Sequence, residues 1–266
     1  MTDWDPELYN RFQHYRSEPA EMLIAQLAIG GAESIVDFGC GTGENTVALA
    51  ERTPNGFALG IDSSPAMIAR AEALREGLAP EVRSRVEFRI GDLRYGANTN
   101  GYTIVFSNAA LQWVRGHREA LAQWHRDLAP GGQLAVQMPA NESETAQMTI
   151  VALGREEPWC TLAGKVEMPS HHVAEPDEYA VMLRAIGFSE VDCRYHVFHH
   201  PMASIEEVVE WHRATALRPL LDRIPFERQG EFLDELTRRL ESAYGTRGPM
   251  VFNFRRLFLR ARRAAR

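Results

Sequence analysis

The chain has 266 residues, 45% of them hydrophobic and 24% charged, enough apolar material for one sizeable core and ordinary for a globular protein. Its formal net charge of −7 argues against a nucleic-acid partner, which leaves a basic footprint. No uncharged apolar run approaches about 18 residues and the start, MTDWDPELYN, is acidic, so neither a membrane span nor a signal peptide is expected and the chain reads as cytoplasmic.

In chain order, the first thirty residues hold two expected helices, about Pro6 to His14 and Pro19 to Ala28. Tyr9, Phe12 and Tyr15 fall at spacings that share a helix face. The segment reads either as an amphipathic cap on the core or as a lid over a cofactor, with Arg16 near the cofactor's carboxylate.

The stretch from Ser34 to Thr46, SIVDFGCGTGENT, organises the rest. A short apolar strand ends in Asp37 and Phe38, glycines alternate at 39, 41 and 43, and a helical pattern follows over about Glu44 to Arg52. Such a turn lets a ligand approach backbone that carries no Cβ, beside the unpaired N–H groups of a helix start. A dinucleotide fingerprint would need its third glycine at position 44, which is Glu44. A carboxylate there repels a pyrophosphate at the helix N-terminus. With Asp37 just before the glycines, the turn suits a ligand carrying an ammonium and a sulfonium but no phosphate, which describes S-adenosylmethionine.

A second strand, Phe57 to Ile61, ends at Asp62, placed to accept both ribose hydroxyls, and a helix follows with Ser63 or Ser64 as its N-cap and Pro65 at its first position. NAD-binding folds place an acid at the same point. Val86 to Ile90 reads as a third strand closed by Gly91-Asp92-Leu93, where Asp92 is placed to accept from an adenine amine beside Leu93. Tyr102 to Phe106 is a fourth, and the loop after it, Ser107 to Trp113, lies at a strand's carboxyl end and so borders the ligand crevice. A helix over about Glu119 to Leu128 and a fifth strand, Gln133 to Met138, complete an alternation that implies right-handed crossovers.

Past Pro139 the rhythm changes. Helices are expected near 142–156, 175–186, 205–216 and 225–244, with strands over Val191 to Phe198 and Met250 to Arg260, the last with a phase shift around Arg255-Arg256 that hints at a bulge. The expected fold class is α/β, a doubly wound, mostly parallel seven-stranded Rossmann-like sheet with a helical N-terminal lid at 1–30. Helical elaborations are expected at about 140–187 and 203–247 of a main domain over 31–266. Adjacent histidines in a strand point to opposite faces, so His171-His172 and His199-His200 read as surface pairs, and no metal is expected. Cys40, Cys160 and Cys193 lack metal spacing too. The arginines at 260, 262, 263 and 266 read as a solvated basic tail. Since Lys165 is the only lysine, a lone arginine carries little information.

Together VDFGCGTG, Asp62, GDL at 91–93 and LAPGG at 128–132 resemble the class I S-adenosylmethionine-dependent methyltransferases. More narrowly, the chain resembles the trans-aconitate 2-methyltransferase family. The carrying residues are WDPELYNRF with RSEP at 16–19, GIDSSPAMI at 60–68, SNAALQWV at 107–114, LAVQMPAN at 134–141, ATALRP at 214–219 and FRRLF at 254–258. The resemblance implies Asp37, Gly39, Gly41 and Gly43 around the methionyl part, Asp62 on ribose with Ser63 and Met67 beside it, Asp92 and Leu93 at adenine, and Asn108 and Ala109 under the sulfonium. The chain departs from the family's pattern at Ala140 and Glu142, which flank Asn141, and over 143–175.

The activity implied is methyl transfer to a carboxylate of a small di- or tricarboxylic acid, trans-aconitate first. A carboxylic acid with a pKa of about 4 is ionised at neutral pH and needs no general base, so no catalytic residue is assigned beyond Gln112 and Trp113 bordering the reaction centre. Arginine forks suit carboxylates. Arg218, Arg255 and Arg256 are the candidates, with Phe12, Tyr195 and His200 as further substrate contacts. A methyltransferase for an amine or phenol, an NAD-dependent oxidoreductase (disfavoured by Glu44) and a non-catalytic methyltransferase-like subunit stay open. A DNA methyltransferase is disfavoured because Asn108 precedes Ala-Ala and not a Pro-Pro-aromatic run. The partner expected is a small acid, with no nucleic acid and no membrane, for a monomer or small homo-oligomer.

Overall fold

Parallel strands buried on both faces need nearly continuous aliphatic runs, and the chain supplies them as Ile35-Val36, Ala58-Leu59, Ile104-Val105-Phe106 and Leu134-Ala135-Val136, all at most 1% exposed. The computed structural model describes residues 12–97, 99–164, 173–213 and 215–265, apart from the side chains of Gln13 and Arg16. Its strands are β1 (Ser34–Phe38), β2 (Phe57–Asp62), β3 (Val86–Ile90), β4 (Tyr102–Asn108), β5 (Leu128–Pro139), β6 (Phe188–Met202) and β7 (Met250–Arg263). They form one sheet in the order β3-β2-β1-β4-β5-β7-β6. β1, β2, β3, β4 and β5 run parallel where they pair, and β7 is antiparallel to β5. The order reverses between β1 and β4, the place where an open sheet of this kind leaves a crevice at its carboxyl edge.

The described residues fall into two compact units. One holds 18–139, 173–196 and 256–265, with most of the sheet. In it Phe38 stacks on Trp124 at 4.8 Å, and the Trp124 indole N–H is satisfied by the Leu93 carbonyl at 2.8 Å. Helices α1 (Gln13–Ala25), α2 (Glu44–Arg52), α3 (Pro65–Glu76) and α4 (His117–Asp127) follow or precede its strands. The other unit holds 12–17, 140–164 and 197–255, and is built of helices around Trp159, Trp211, Leu220, Phe232, Leu240 and Phe252.

Several expectations change. The expected helix from Pro19 to Ala28 is replaced by α1, which starts earlier, at Gln13, and runs through Pro19. The expected helix over 6–14 lies mostly outside the described residues, as does the His171-His172 pair. β5 starts at Leu128, and the LAPGG stretch is absorbed as an irregularity in its pairing with β4 between Tyr102 and Ile104. No bulge interrupts the β5–β7 ladder: the register is unbroken from Gln133↔Arg262 to Pro139↔Arg256. The shift of phase marks where Arg256, Leu257, Phe258 and Leu259 are all buried. The basic tail is part of β7: Arg260 pairs with Asp192, Arg262 with Glu190, and Arg263 donates to carbonyls of residues 125, 126 and 128. His199 lies exposed with its Nδ1 2.7 Å from Asn253 Oδ1, whereas His200 is 1% exposed, stacked on Tyr15 at 4.3 Å. The opposite-face argument holds, and the surface reading of His200 does not. Among the described residues no helix is long and apolar enough to cross a membrane, and no group of three His, Cys, Asp or Glu is placed to hold a metal ion.

Candidate functional site

The site grows from the turn between β1 and α2. The N–H groups of Gly39 and Cys40 both donate to the Ile61 carbonyl, at 2.7 and 3.1 Å, which ties the turn to β2. Gly39, Gly41 and Gly43 all have positive φ, for different reasons. A Cβ on Gly39 would sit 2.1 Å from the Ala110 Cβ, and one on Gly43 would enter the Phe88 ring at 2.6 Å, so these two permit close packing. Among the described residues a Cβ on Gly41 would meet nothing within 4 Å. That glycine faces open space, so its backbone is accessible to a ligand. Glu44 is exposed in the first turn of α2 and accepts from the Thr42 hydroxyl at 2.6 Å, keeping a negative charge where a phosphate would dock.

Asp62 ends β2 with its carboxylate aimed by backbone: Oδ2 accepts from the Gly41 N–H at 3.0 Å and Oδ1 from the Ser64 N–H at 2.8 Å. Ser64, not Ser63, caps α3, while Ser63 and Met67 lie exposed. Asp92 accepts from the Arg94 N–H at 2.9 Å and is held below the usual carboxylate range by the Arg94 guanidinium. Leu93 follows it, half-buried.

Asp37 is 1% exposed and accepts from the Thr46 hydroxyl at 2.7 Å, a partner the sequence reading missed. Burial raises its pKa to about 7, with the Asp62 charge adding to the rise and the Thr46 hydrogen bond opposing it. Asp37 then titrates in the physiological range, and a carboxylate attracts a cation only when ionised. Affinity for S-adenosylhomocysteine is expected to rise about tenfold between pH 6 and pH 8, as a pKa near 7 requires, and to lose that slope in Asp37→Asn. Calorimetric titration at the two pH values checks it.

At the end of β4, Ala109 is one of two described non-glycine residues with positive φ, at 53°. It is pinned from both sides: its N–H donates to the Gln137 carbonyl at 2.9 Å and its carbonyl accepts from the Gln112 carboxamide at 2.7 Å. Held strain of this kind gathers at functional sites. Asn108 Oδ1, Gln112 Oε1 and both polar atoms of the Gln137 carboxamide are buried with no hydrogen-bond partner among the described residues. Trp113 is 65% exposed.

Strand register places these groups in one row. Residues paired across neighbouring strands, and those two apart along one strand, share a face of the sheet. Asp62 is two beyond Gly60, which pairs with Asp37. Asp37 pairs with Phe106, two before Asn108. Asn108 pairs with Gln137. Pro139, two beyond Gln137, pairs with Arg256, which is 6% exposed. One face, read along the carboxyl ends of the parallel strands, therefore carries acids on β2 and β1, carboxamides on β4 and β5, and a guanidinium on β7. The acidic end suits a cationic ligand and the basic end an anionic one.

Other expected site residues lie elsewhere. Arg218 is exposed and pairs with Asp222 at 3.6 Å. Arg255 is committed to the segment after β5: its N–H donates to Asn141 Oδ1 at 2.7 Å, and its guanidinium to the Ala140 carbonyl at 2.8 Å and the Ser143 hydroxyl at 2.6 Å. The Tyr195 hydroxyl donates to Glu175 at 2.9 Å. Phe12 and His200 are buried among the aromatics of the helical unit, Phe12 5.3 Å from Trp211. The Arg16 side chain lies outside the described residues.

Residues 35–132 match the family model described as a methyltransferase domain. The chain is 36% identical over 268 residues to trans-aconitate 2-methyltransferase of Variovorax paradoxus (strain S110), with all of both chains covered. It is 36% identical over 269 residues to the enzyme of the same name from Methylobacterium radiotolerans, again with both fully covered. Among solved structures, phosphoethanolamine N-methyltransferase 2 of Haemonchus contortus in complex with S-adenosyl-L-methionine aligns with a TM-score of 0.58 at 15% identity, over 93% of this chain and 52% of that one. The glycine turn, the acid closing β2 and the seven-strand order thus coincide with full-length similarity, and the chain belongs to the trans-aconitate 2-methyltransferase family of class I, S-adenosylmethionine-dependent methyltransferases.

Proposed function

We propose that the chain methylates a carboxylate of a small di- or tricarboxylic acid, trans-aconitate foremost, in the cytoplasm, giving a monomethyl ester. The observation that carries this reading is the polarised row, with Asp62 and Asp37 at one end and buried Arg256 at the other. The relatives' name supports the choice of acid.

In this reading Asp62 takes the ribose hydroxyls and Asp37 the ammonium, while Gly39, Gly41 and Gly43 admit the methionyl backbone and Asp92 and Leu93 flank the adenine. S-adenosylmethionine held by these residues would supply a methyl on a positively charged sulfur, its C–S electron pair staying on sulfur as a carboxylate oxygen takes the methyl with its own pair, with no proton to be moved. The chain therefore needs no general base, and orientation and removal of water carry the rate. Arg256 compensates the desolvated anion. Arg255 orders the segment 140–144, and Gln112 and Trp113 border the acceptor. Arg218, exposed and paired with Asp222, is no part of the proposed site.

A panel of acids, amines and phenols, each incubated with the chain and labelled methyl donor, tests it. Label is expected in a base-labile methyl ester of trans-aconitate. Label in amines or phenols with none in any acid contradicts it.

A further inference from the structure

Gln137 is the one strongly polar side chain in the apolar run Leu134-Ala135-Val136-Gln137-Met138, on a strand between β4 and β7. It is 0% exposed, and neither its Nε2 nor its Oε1 has a hydrogen-bond partner among the described residues. A primary carboxamide buried this way is costly: each unsatisfied polar group forfeits its hydration with nothing in return. A leucine or methionine would fit a buried strand better, so folding alone gives no reason for the glutamine. Its position gives one. Gln137 pairs in register with Asn108, whose Oδ1 is also buried without a hydrogen-bond partner among the described residues, and the Gln137 carbonyl holds the strained Ala109 through the Ala109 N–H. On its other side it pairs with Phe258, two residues from Arg256 on the same face. It thus lies between the group proposed to sit under the sulfonium and the guanidinium proposed to hold the acid.

Resting on the proposed carboxylate methylation, we infer that the Gln137 carboxamide donates an N–H to an oxygen of the reacting carboxylate, orienting its other oxygen for transfer. A neutral donor suits that task better than a cation. The reaction brings an anion and a cation together into neutral products, so charge fades on the way to the transition state. A full positive charge at the reacting carboxylate would hold the ground state more strongly than the transition state and slow the step. Arg256 is then left for a carboxylate of the acid that does not react.

Gln137→Leu removes the donor and nearly keeps the volume. Its melting temperature is expected to match or exceed that of the parent chain by about 2–4 °C, because a buried unsatisfied amide is gone. S-adenosylhomocysteine should bind unchanged, while kcat/KM for trans-aconitate falls about 10- to 100-fold, mainly in kcat. Gln137→Glu should retain binding of S-adenosylhomocysteine and lose more activity, through repulsion of the acid. A lowered melting temperature in Gln137→Leu with kcat/KM intact would show a packing role and overturn the inference. So would full activity in both variants. If the parent chain methylates no acid at all, the functional reading fails first. If it does and Gln137→Leu matches it, only the role of Gln137 falls.

Discussion

Asp62→Ala is expected to weaken binding of S-adenosylhomocysteine by at least about 100-fold, read by titration calorimetry. The carboxylate does two jobs. It accepts the Gly41 and Ser64 N–H groups at 3.0 and 2.8 Å, which fixes both the glycine turn and the start of α3. Its remaining acceptor sites are the ones proposed to take two ribose hydroxyls. A hydrogen bond to a charged group contributes about 1.5–3 kcal/mol, so losing two amounts to about 3 kcal/mol or more, a factor of roughly 150 or beyond. Asp62→Asn keeps the shape and an acceptor for one N–H, and should fall between the parent and Asp62→Ala. Equal affinity in all three would mean that the sugar is not held here.

The second large effect is at Arg256. Arg256→Met keeps most of the side chain's length and apolar packing and removes the fork. For trans-aconitate, kcat/KM is expected to fall about 30- to 5000-fold, since removing one partner of a buried charge pair costs about 2–5 kcal/mol. S-adenosylhomocysteine binding, proposed to rest on β1 and β2, should be unaffected and serves as the check on folding. Arg256→Lys restores the charge without the planar fork and should recover only part of the loss. Steady-state kinetics on the three proteins decide the matter. Unchanged kcat/KM in Arg256→Met would remove the guanidinium from the acceptor site.

The cofactor half of this site is legible in the sequence because its determinants are local. Positive φ at Gly39, Gly41 and Gly43 and the acid closing β2 follow from a strand-turn-helix pattern within about thirty residues. Even there, Thr46 as the partner of Asp37 was not visible, since it depends on how α2 lies against β1. The acceptor half depends on register between strands far apart in the chain. Arg255 and Arg256 are equivalent in sequence, and pairing of β7 with β5 separates them: Arg256 comes onto the Gln137 face, while Arg255 turns to Ala140, Asn141 and Ser143. Gln137 left one signal, a glutamine inside an aliphatic run, which reads as routine until its carboxamide proves to have no partner among the described residues. His200 was misjudged because alternation in a strand says that two neighbours face opposite ways, and not which of the two packs against Tyr15. The N-terminal helix differed because Pro19, read as a helix start, sits inside α1.

Adenosine is proposed to lie along β2 and β3 with its sulfur arm over the first glycine turn. A crystal structure of the chain grown with S-adenosylhomocysteine measures this directly. The ribose is expected on Asp62, the adenine beside Asp92 and Leu93, the amino group within reach of Asp37, and the thioether sulfur next to Asn108 and Ala109. Density for the ligand at any other place, with the Gly39–Gly43 turn and Asp62 untouched, would contradict it.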